Sequence, residues 1–205
     1  MGRLVKLGIK GYFINNYFVY LFLILFLIMG IVFGVLGVKA LTPVQLENLN
    51  QYIDTGFKAM GNEIDYQSTA KHAIWRNLIT IFKIWFLGLT VIGLPLIIVI
   101  IFTRGFVLGF TVGFFLENNT WQGLGIILLT IFPQNLLQLP SLIIASASAT
   151  AFSLYLLNGR RIENRAIPKY FFKYTLVLLI LAVIMILAGF IEGYLTPLAT
   201  KVFKF

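Results

Sequence analysis

The sequence contains no cysteine, one histidine and few charged residues. Only 11% of its 205 residues are Asp, Glu, Lys or Arg, whereas an ordinary soluble domain has about 25%. The absence of cysteine excludes disulfides and thiol catalysis. A multi-histidine metal site is excluded because His72 is the lone histidine. We therefore expect neither a metal nor a cofactor.

Apolar residues are abundant, because 60% of the chain is hydrophobic and residues 11–38 carry no charge. A soluble fold of this size could not cover so much apolar surface with so few charges, so lipid is the expected solvent. The net charge of +9 comes from basic residues beside apolar segments. This placement indicates contact with anionic lipid headgroups of the bilayer and no binding of nucleic acid.

Apolar segments of the chain predict about five transmembrane helices, because a helix needs about 20 residues to cross the hydrocarbon layer. The expected spans are residues 17–38, 84–103, 105–116, 137–157 and 174–190. Residues 123–135 are too short to cross alone and predict a re-entrant piece, although 123–157 could instead form one broken helix. The fold class is therefore all-α: a polytopic helical membrane protein with a re-entrant or broken segment near 123–140.

Polar segments between the spans predict a single membrane domain, residues 1–205, with its N-terminus inside and its C-terminus outside. Residues 1–16 carry basic residues at helical spacing and indicate an interfacial segment. Residues 39–72 are an expected outer polar loop of coil or short helices. Residues 158–173 hold five Lys and Arg against one acid, which is typical of a cytoplasmic loop.

Glycines recur every four residues in two of the expected spans. They are Gly30 and Gly34 in the first span, and Gly105, Gly109 and Gly113 in the third. Such stripes indicate close helix–helix contact, because small residues let backbones approach. The contact is either internal, which we favour, or the seam of a homodimer.

A polar segment bracketed by Pro133 and Pro140 contains Gln134, Asn135 and Gln138. It is either a structural break satisfied by neighbouring helices, or a polar patch that lines a cavity or recognises a partner. Transporters have broken helices of this kind, but they usually also hold an ionisable residue near the membrane midplane. We expect none, because 84–103 and 137–157 are free of charge.

No motif for catalysis is present. There is no G-x-S-x-G nucleophile elbow, and the serines between 141 and 153 lie on one expected helix without a histidine. The small-residue run 145–151 is better explained by helix packing. The sequence therefore predicts a protein that is not an enzyme.

The order of several segments resembles the stage II sporulation protein M family of bacterial membrane proteins, along nearly the whole chain. These segments are Arg76-Asn77, Gly93-Leu94-Pro95-Leu96, residues 104–111, residues 132–140 and residues 191–197. The resemblance implies an internal polar network at Asn77, the proline segment and Glu192. Gln134 and Gln138 stand near positions where the family often carries histidine and glutamate, and this departure argues against a proton-linked role.

The resemblance also implies a function. Members of the family are membrane-embedded scaffolds that localise two cell-wall hydrolases, sporulation proteins D and P, to the septal membrane of the mother cell for engulfment. The outer segments, namely residues 39–72, the turn 117–122 and the C-terminal tail, would meet these partners. The alternative is a small transporter or channel built around residues 123–140.

Overall fold

The computed structural model describes residues 17–62, 66–118, 125, 127, 131–157 and 167–202, without the side chains of 53, 54, 56–62, 118 and 196–202. These residues form helices and contain no strand. The helices are α1 (Tyr17–Lys39), α2 (Pro43–Asn62), α3 (Tyr66–Gly88), α4 (Gly93–Asn118), α5 (Phe132–Leu157) and α6 (Ile167–Val202). The prediction of an all-α polytopic membrane protein is confirmed.

Four of these helices are long and apolar enough to cross a membrane. They are α1, α4 up to Glu117, α5, and α6 up to Leu195. The more polar helix α3 packs antiparallel along α6: Ala70 faces Gly193 at one end, and Gly88 faces Tyr174 at the other. Because α3 lies at the same depth as a spanning helix, it provides a fifth crossing.

The five crossings alternate in direction and define two faces of the bundle. Close contacts pair Leu27 with Gly105 and Ile31 with Gly109, so α1 and α4 run parallel. We call the end that carries Lys39, Tyr66, Asn118, Phe132 and Leu195 the Tyr66 face. The opposite end, with Tyr17, Gly88, Gly93, Leu157 and Ile167, is the Gly88 face. Helix α2 lies outside the five crossings.

The core contains large apolar side chains around one helix with small residues. Residues 145–149 of α5 are all buried. The largest fully buried apolar side chains come from α1, α3, α4, α5 and α6: Leu23, Ile84, Ile97, Ile101, Leu142 and Met185. Because the side chains at 145–149 are all Ala or Ser, neighbouring helices can pack close to the axis of α5.

The expected break between residues 103 and 105 is wrong. Helix α3 ends at Gly88 and α4 is continuous from Gly93 to Asn118, so Arg104 lies inside a span. The turn instead falls at residues 89–92, where the Leu89 amide donates to the Phe86 carbonyl (3.1 Å) and the Gly93 amide to the Thr90 carbonyl (3.2 Å). A side chain at Gly93 would overlap the Leu87 backbone, so glycine permits this tight connection.

The expected bounds of the last two spans are also wrong. Residues 132–157 form one continuous helix, so 132–140 is not a re-entrant piece, and most of 123–131 lies outside the described residues. Pro133 lies in the first turn, where a missing backbone N–H costs no helical bond. Pro140 lies inside α5. Helix α6 spans Ile167–Val202 rather than 174–190, because its polar ends extend beyond the apolar stretch.

The expected outer loop 39–72 is largely helical. Residues 43–62 form α2, while 66–72 are the first two turns of α3. A capping box starts α2: the Thr42 amide donates to Gln45 Oε1 (3.0 Å), and the Gln45 amide donates to Thr42 Oγ1 (3.4 Å). The segments 1–16 and 158–166 lie outside the described residues.

Candidate functional site

A chain of three polar contacts joins four helices inside the bundle. Arg76 of α3 donates to Glu192 Oε1 of α6, forming an ion pair. The other carboxylate oxygen of Glu192 accepts from Gln138 Nε2 of α5 at 3.0 Å. The oxygen of Gln138 accepts from the guanidinium of Arg104 on α4. We call these four residues the polar network.

The polar network is shielded from solvent at its centre and open at one end. Gln138 is 2% exposed, and the side chains of Glu192 and Arg76 are 14% and 57% exposed. Unpaired polar groups are costly in such surroundings, whereas bonded ones hold their helices in a fixed register. The network therefore fixes the positions of α3, α4, α5 and α6 relative to one another.

Arg104 places a charge well inside a membrane span. It lies 11 residues after Gly93, about 16 Å along the helix axis at 1.5 Å per residue. The expectation of no ionisable residue near the midplane is therefore wrong. The network contains two guanidinium groups and one carboxylate, so it has a net charge of +1. The donors and acceptors can bind and orient groups, but the network contains no nucleophile with a base.

Two other polar residues expected in the network make different contacts. Asn77 is 1% exposed, and its Nδ2 donates to the Met185 carbonyl at 3.1 Å, which ties α3 to α6 about two turns from Glu192. Asn135 bonds locally, because its Nδ2 donates to the Ile131 carbonyl at 2.7 Å.

The remaining members of the proline segment also stay apart from the network. Within the described part of the chain, the buried oxygen of Gln134 has no hydrogen-bond partner. Pro133 and Pro140 shape α5 without polar side chains. The structure thus brings together only Gln138 and Glu192 from the expected set.

Arg104 and Arg76 are the members of the network that sequence reasoning missed. A signal for Arg104 exists in the phenylalanines beside the glycine stripe. Phe110 and Phe106 continue at the same four-residue spacing to Phe102, which indicates one helix through residue 104. A lone charge in an otherwise apolar span is itself a sign of a polar network.

The glycine stripes lie at the contact between α1 and α4 of the same chain. A Cβ on Gly30 or Gly34 would overlap the α4 backbone at Phe102 or Phe106, and a Cβ on Gly105 or Gly109 would overlap the α1 backbone. The fit is looser at Gly113, whose nearest neighbour would be the Cα of Val35 at 3.3 Å. The stripe is therefore covered by α1 and is not a surface for a second copy.

A second cluster locks the bundle at the Gly88 face. The buried hydroxyl of Tyr174 donates to the Trp85 carbonyl at 2.8 Å, and its ring stacks on Phe152 with centroids 4.8 Å apart. Ser153 Oγ donates to the carbonyl of Thr90 in the turn at 3.0 Å. These contacts join α3, α5 and α6 at the end opposite to the polar network.

The fold and the polar network define a multi-pass helical membrane protein with a cross-linked core. The family model for stage II sporulation protein M matches residues 11–197, so the chain belongs to that family. It is therefore a sporulation-related membrane protein. Comparison with curated proteins and with solved structures gave no match.

Proposed function

We propose that this protein is a non-enzymatic membrane scaffold that recruits and positions peptidoglycan hydrolases, the sporulation proteins D and P, at the septal membrane of the mother cell during engulfment. Family membership over residues 11–197 supports the process. The structural observation that carries the proposal is helix α2, which lies outside the membrane bundle on the Tyr66 face.

Helix α2 has the properties of a docking element. It is 20 residues long, has its own capping box and packs only lightly on α6. Val44 and Tyr52 are 69% and 78% exposed, and aromatic and aliphatic anchors of this kind contribute most to protein–protein binding. A partner can therefore bind α2 without disturbing the core.

The rest of the bundle acts as a rigid mount for this helix. The polar network holds α3, α4, α5 and α6 between the Tyr66 face and the middle of the bundle. The contacts of Tyr174 and Ser153 hold the Gly88 face. In this mechanism the buried polar residues keep the outer elements at fixed separations, and recognition is left to exposed residues of the Tyr66 face.

Co-purification from detergent tests the role of α2. The variant replaces residues 43–62 with a Gly/Ser linker of equal length, and it retains 66–72 because Ala70 packs on Gly193. We expect at least about a tenfold loss of hydrolase capture, the ratio that about 1.4 kcal/mol of binding free energy produces.

The matched control changes the opposite face. Val91 and Ile92 are 41% and 79% exposed in the turn at the Gly88 face, and replacing both with serine should leave capture unchanged. Undiminished capture by the linker variant would rule out α2 as the docking element. An equal loss in the control would indicate a general defect of the bundle.

The proposal also requires the Tyr66 face to lie outside the cytoplasm. Single cysteines at positions 60, 119, 163 and 203 can be labelled in intact cells against a background without cysteine. We expect an impermeant maleimide to reach 60, 119 and 203 and not 163. Labelling of 60 and 163 from the same side would contradict the arrangement of crossings.

A transporter or channel is the second candidate, and Arg104 is the observation that favours it. A cation inside a span removes the argument that the membrane region lacks ionisable groups. Because the network has a net positive charge, an anion such as chloride is the solute to measure in proteoliposomes. Flux that disappears in Arg104→Gln would support transport, whereas the scaffold predicts no flux above that of empty vesicles.

A further inference from the structure

An amphipathic groove runs along the outside of the contact between α3 and α6, next to the Tyr66 face. It has a volume of about 1100 Å³. Its lining residues come from 66–75 of α3 and 190–194 of α6: Tyr66, Gln67, Ser68, Ala70, Lys71, His72, Ile74, Trp75, Phe190 and Tyr194. Members of the polar network do not line it, so the groove is a separate feature.

The polar and apolar residues of the groove are ordered along the membrane normal. Gln67, Lys71 and His72 lie within the first two turns of α3, nearest to the Tyr66 face. Trp75 and Phe190 lie deeper and are 65% and 45% exposed. From residue 67 to residue 75 the helix rises about 12 Å, about the distance from a headgroup to the upper part of an acyl chain.

The charge of the groove is one-sided. Lys71 and His72 are exposed, and among its described lining residues there is no Asp or Glu. Glu192 lies on α6 between the two α6 lining residues, but its carboxylate is already paired with Arg76. Among the described residues of the groove, a negatively charged group at this height therefore meets Lys71 and His72 and no unpaired carboxylate.

The aromatic side chains of the groove are typical of the membrane–water interface. Tyr66 and Tyr194 stack at the mouth of the groove with centroids 6.1 Å apart, and Trp75 lies about two and a half turns after Tyr66 on α3. Tyr and Trp concentrate at the level of lipid headgroups, where one side of the ring is apolar and the other is wet. An amphiphile that runs parallel to the helices matches both halves of this groove.

We propose that the groove binds one anionic phospholipid, with its phosphate on Lys71 and His72 and the start of an acyl chain along Trp75 and Phe190. A basic residue near a membrane surface attracts anionic lipid, and the split lining favours a lipid over a soluble phosphate. An acidic peptide would match the cations but would leave the deep aromatic side chains uncovered.

Quenching of Trp75 by brominated lipids tests the proposal on the full chain. The variant Trp85→Phe/Trp121→Phe leaves Trp75 as the only tryptophan. The variant is then reconstituted in phosphatidylcholine vesicles that contain increasing fractions of brominated phosphatidylglycerol. A parallel series contains increasing fractions of brominated phosphatidylcholine. We expect phosphatidylglycerol to bind beside Trp75 about fivefold more strongly than phosphatidylcholine, and we expect Lys71→Gln/His72→Gln to abolish this preference.

Lys83→Gln in the same single-tryptophan background is the matched control. Lys83 is an exposed cation on the same helix that does not line the groove, so its loss should leave the preference intact. Equal quenching by the two lipids would overturn the proposal, as would a preference that survives Lys71→Gln/His72→Gln or that falls equally in Lys83→Gln. Elution as a single species in detergent shows that each variant is folded before reconstitution.

Discussion

The glycine contact between α1 and α4 allows a matched comparison within one helix. Gly109→Ala and Gly113→Ala make the same chemical change one turn apart, on the same stripe. At Gly109 a Cβ would overlap the Ile31 carbonyl and come within 2.8 Å of its Cα. At Gly113 the nearest atoms would be the Val35 Cα at 3.3 Å and the Val38 Cγ2 at 3.4 Å.

These distances predict a loss of stability for Gly109→Ala and no loss for Gly113→Ala. Backbone atoms of Ile31 cannot move aside as the end of a side chain can, so α1 must shift away from α4 along its length. Overpacking of this kind costs about 1–3 kcal/mol. At Gly113 a shift of a few tenths of an ångström suffices. There the better helix propensity of alanine, up to about 1 kcal/mol, offsets the remaining crowding. The difference between the two variants should therefore be about 2 kcal/mol.

Reversible unfolding in mixed micelles with increasing SDS, followed by tryptophan fluorescence, measures this difference. The midpoint should fall for Gly109→Ala and stay within error or rise for Gly113→Ala. Gly105→Ala should follow Gly109→Ala, since its Cβ would overlap the Leu27 carbonyl. Equal midpoints for the two variants would mean that α1 does not pack on α4 in this register, and the reasoning would fail.

Two further substitutions test the clusters at the two ends of the bundle in the same assay. Glu192→Gln removes the carboxylate that pairs with Arg76 and should lower the free energy of unfolding by about 2 kcal/mol. This is below the range for a fully buried pair because Arg76 is more than half exposed. An unchanged midpoint would show that the polar network does not stabilise the bundle. Tyr174→Phe removes the hydrogen bond to the Trp85 carbonyl and should lower the free energy of unfolding by about 1 kcal/mol. Tyr170→Phe, at an exposed position, should lower it by less than half of that. The reverse order would contradict a stabilising role for the Tyr174 hydroxyl.

Sequence reasoning could predict the helices whose apolar stretch is unbroken. The first span, expected at 17–38, ends one residue later at Lys39, because a basic residue follows the last apolar position directly. The glycine spacing also predicted close helix contact, since only a few arrangements place every fourth residue against a neighbouring backbone. Which helix fills the stripe could not be predicted, because spacing on one helix does not identify its partner.

The bounds of α3 and α4 could not be predicted from hydropathy, because two different signals compete there. Arg104 interrupts an apolar run, and such an interruption predicts a loop at this position. The turn at 89–92 consists of apolar and small residues, so hydropathy does not indicate it. Arg104 donates to Gln138, and Gln138 donates to Glu192, so Arg104 is satisfied only through tertiary contacts. One sequence does not distinguish a charge that is hydrogen-bonded to another helix from a charge in water.

The position of the polar network explains why its residues need not perform chemistry. Gln138 and Glu192 lie about 9 Å and 5 Å from the Tyr66 face along their helices, whereas Arg76 and Arg104 lie about 15 Å and 21 Å from it. Packing between transmembrane helices has little hydrophobic drive, and interhelical hydrogen bonds contribute more to their register than they do in water. A network that reaches from this face to the middle of the bundle therefore stiffens the half of the bundle beside α2. The proposed scaffold function needs rigidity there, and the network leaves the surface of α2 uncovered.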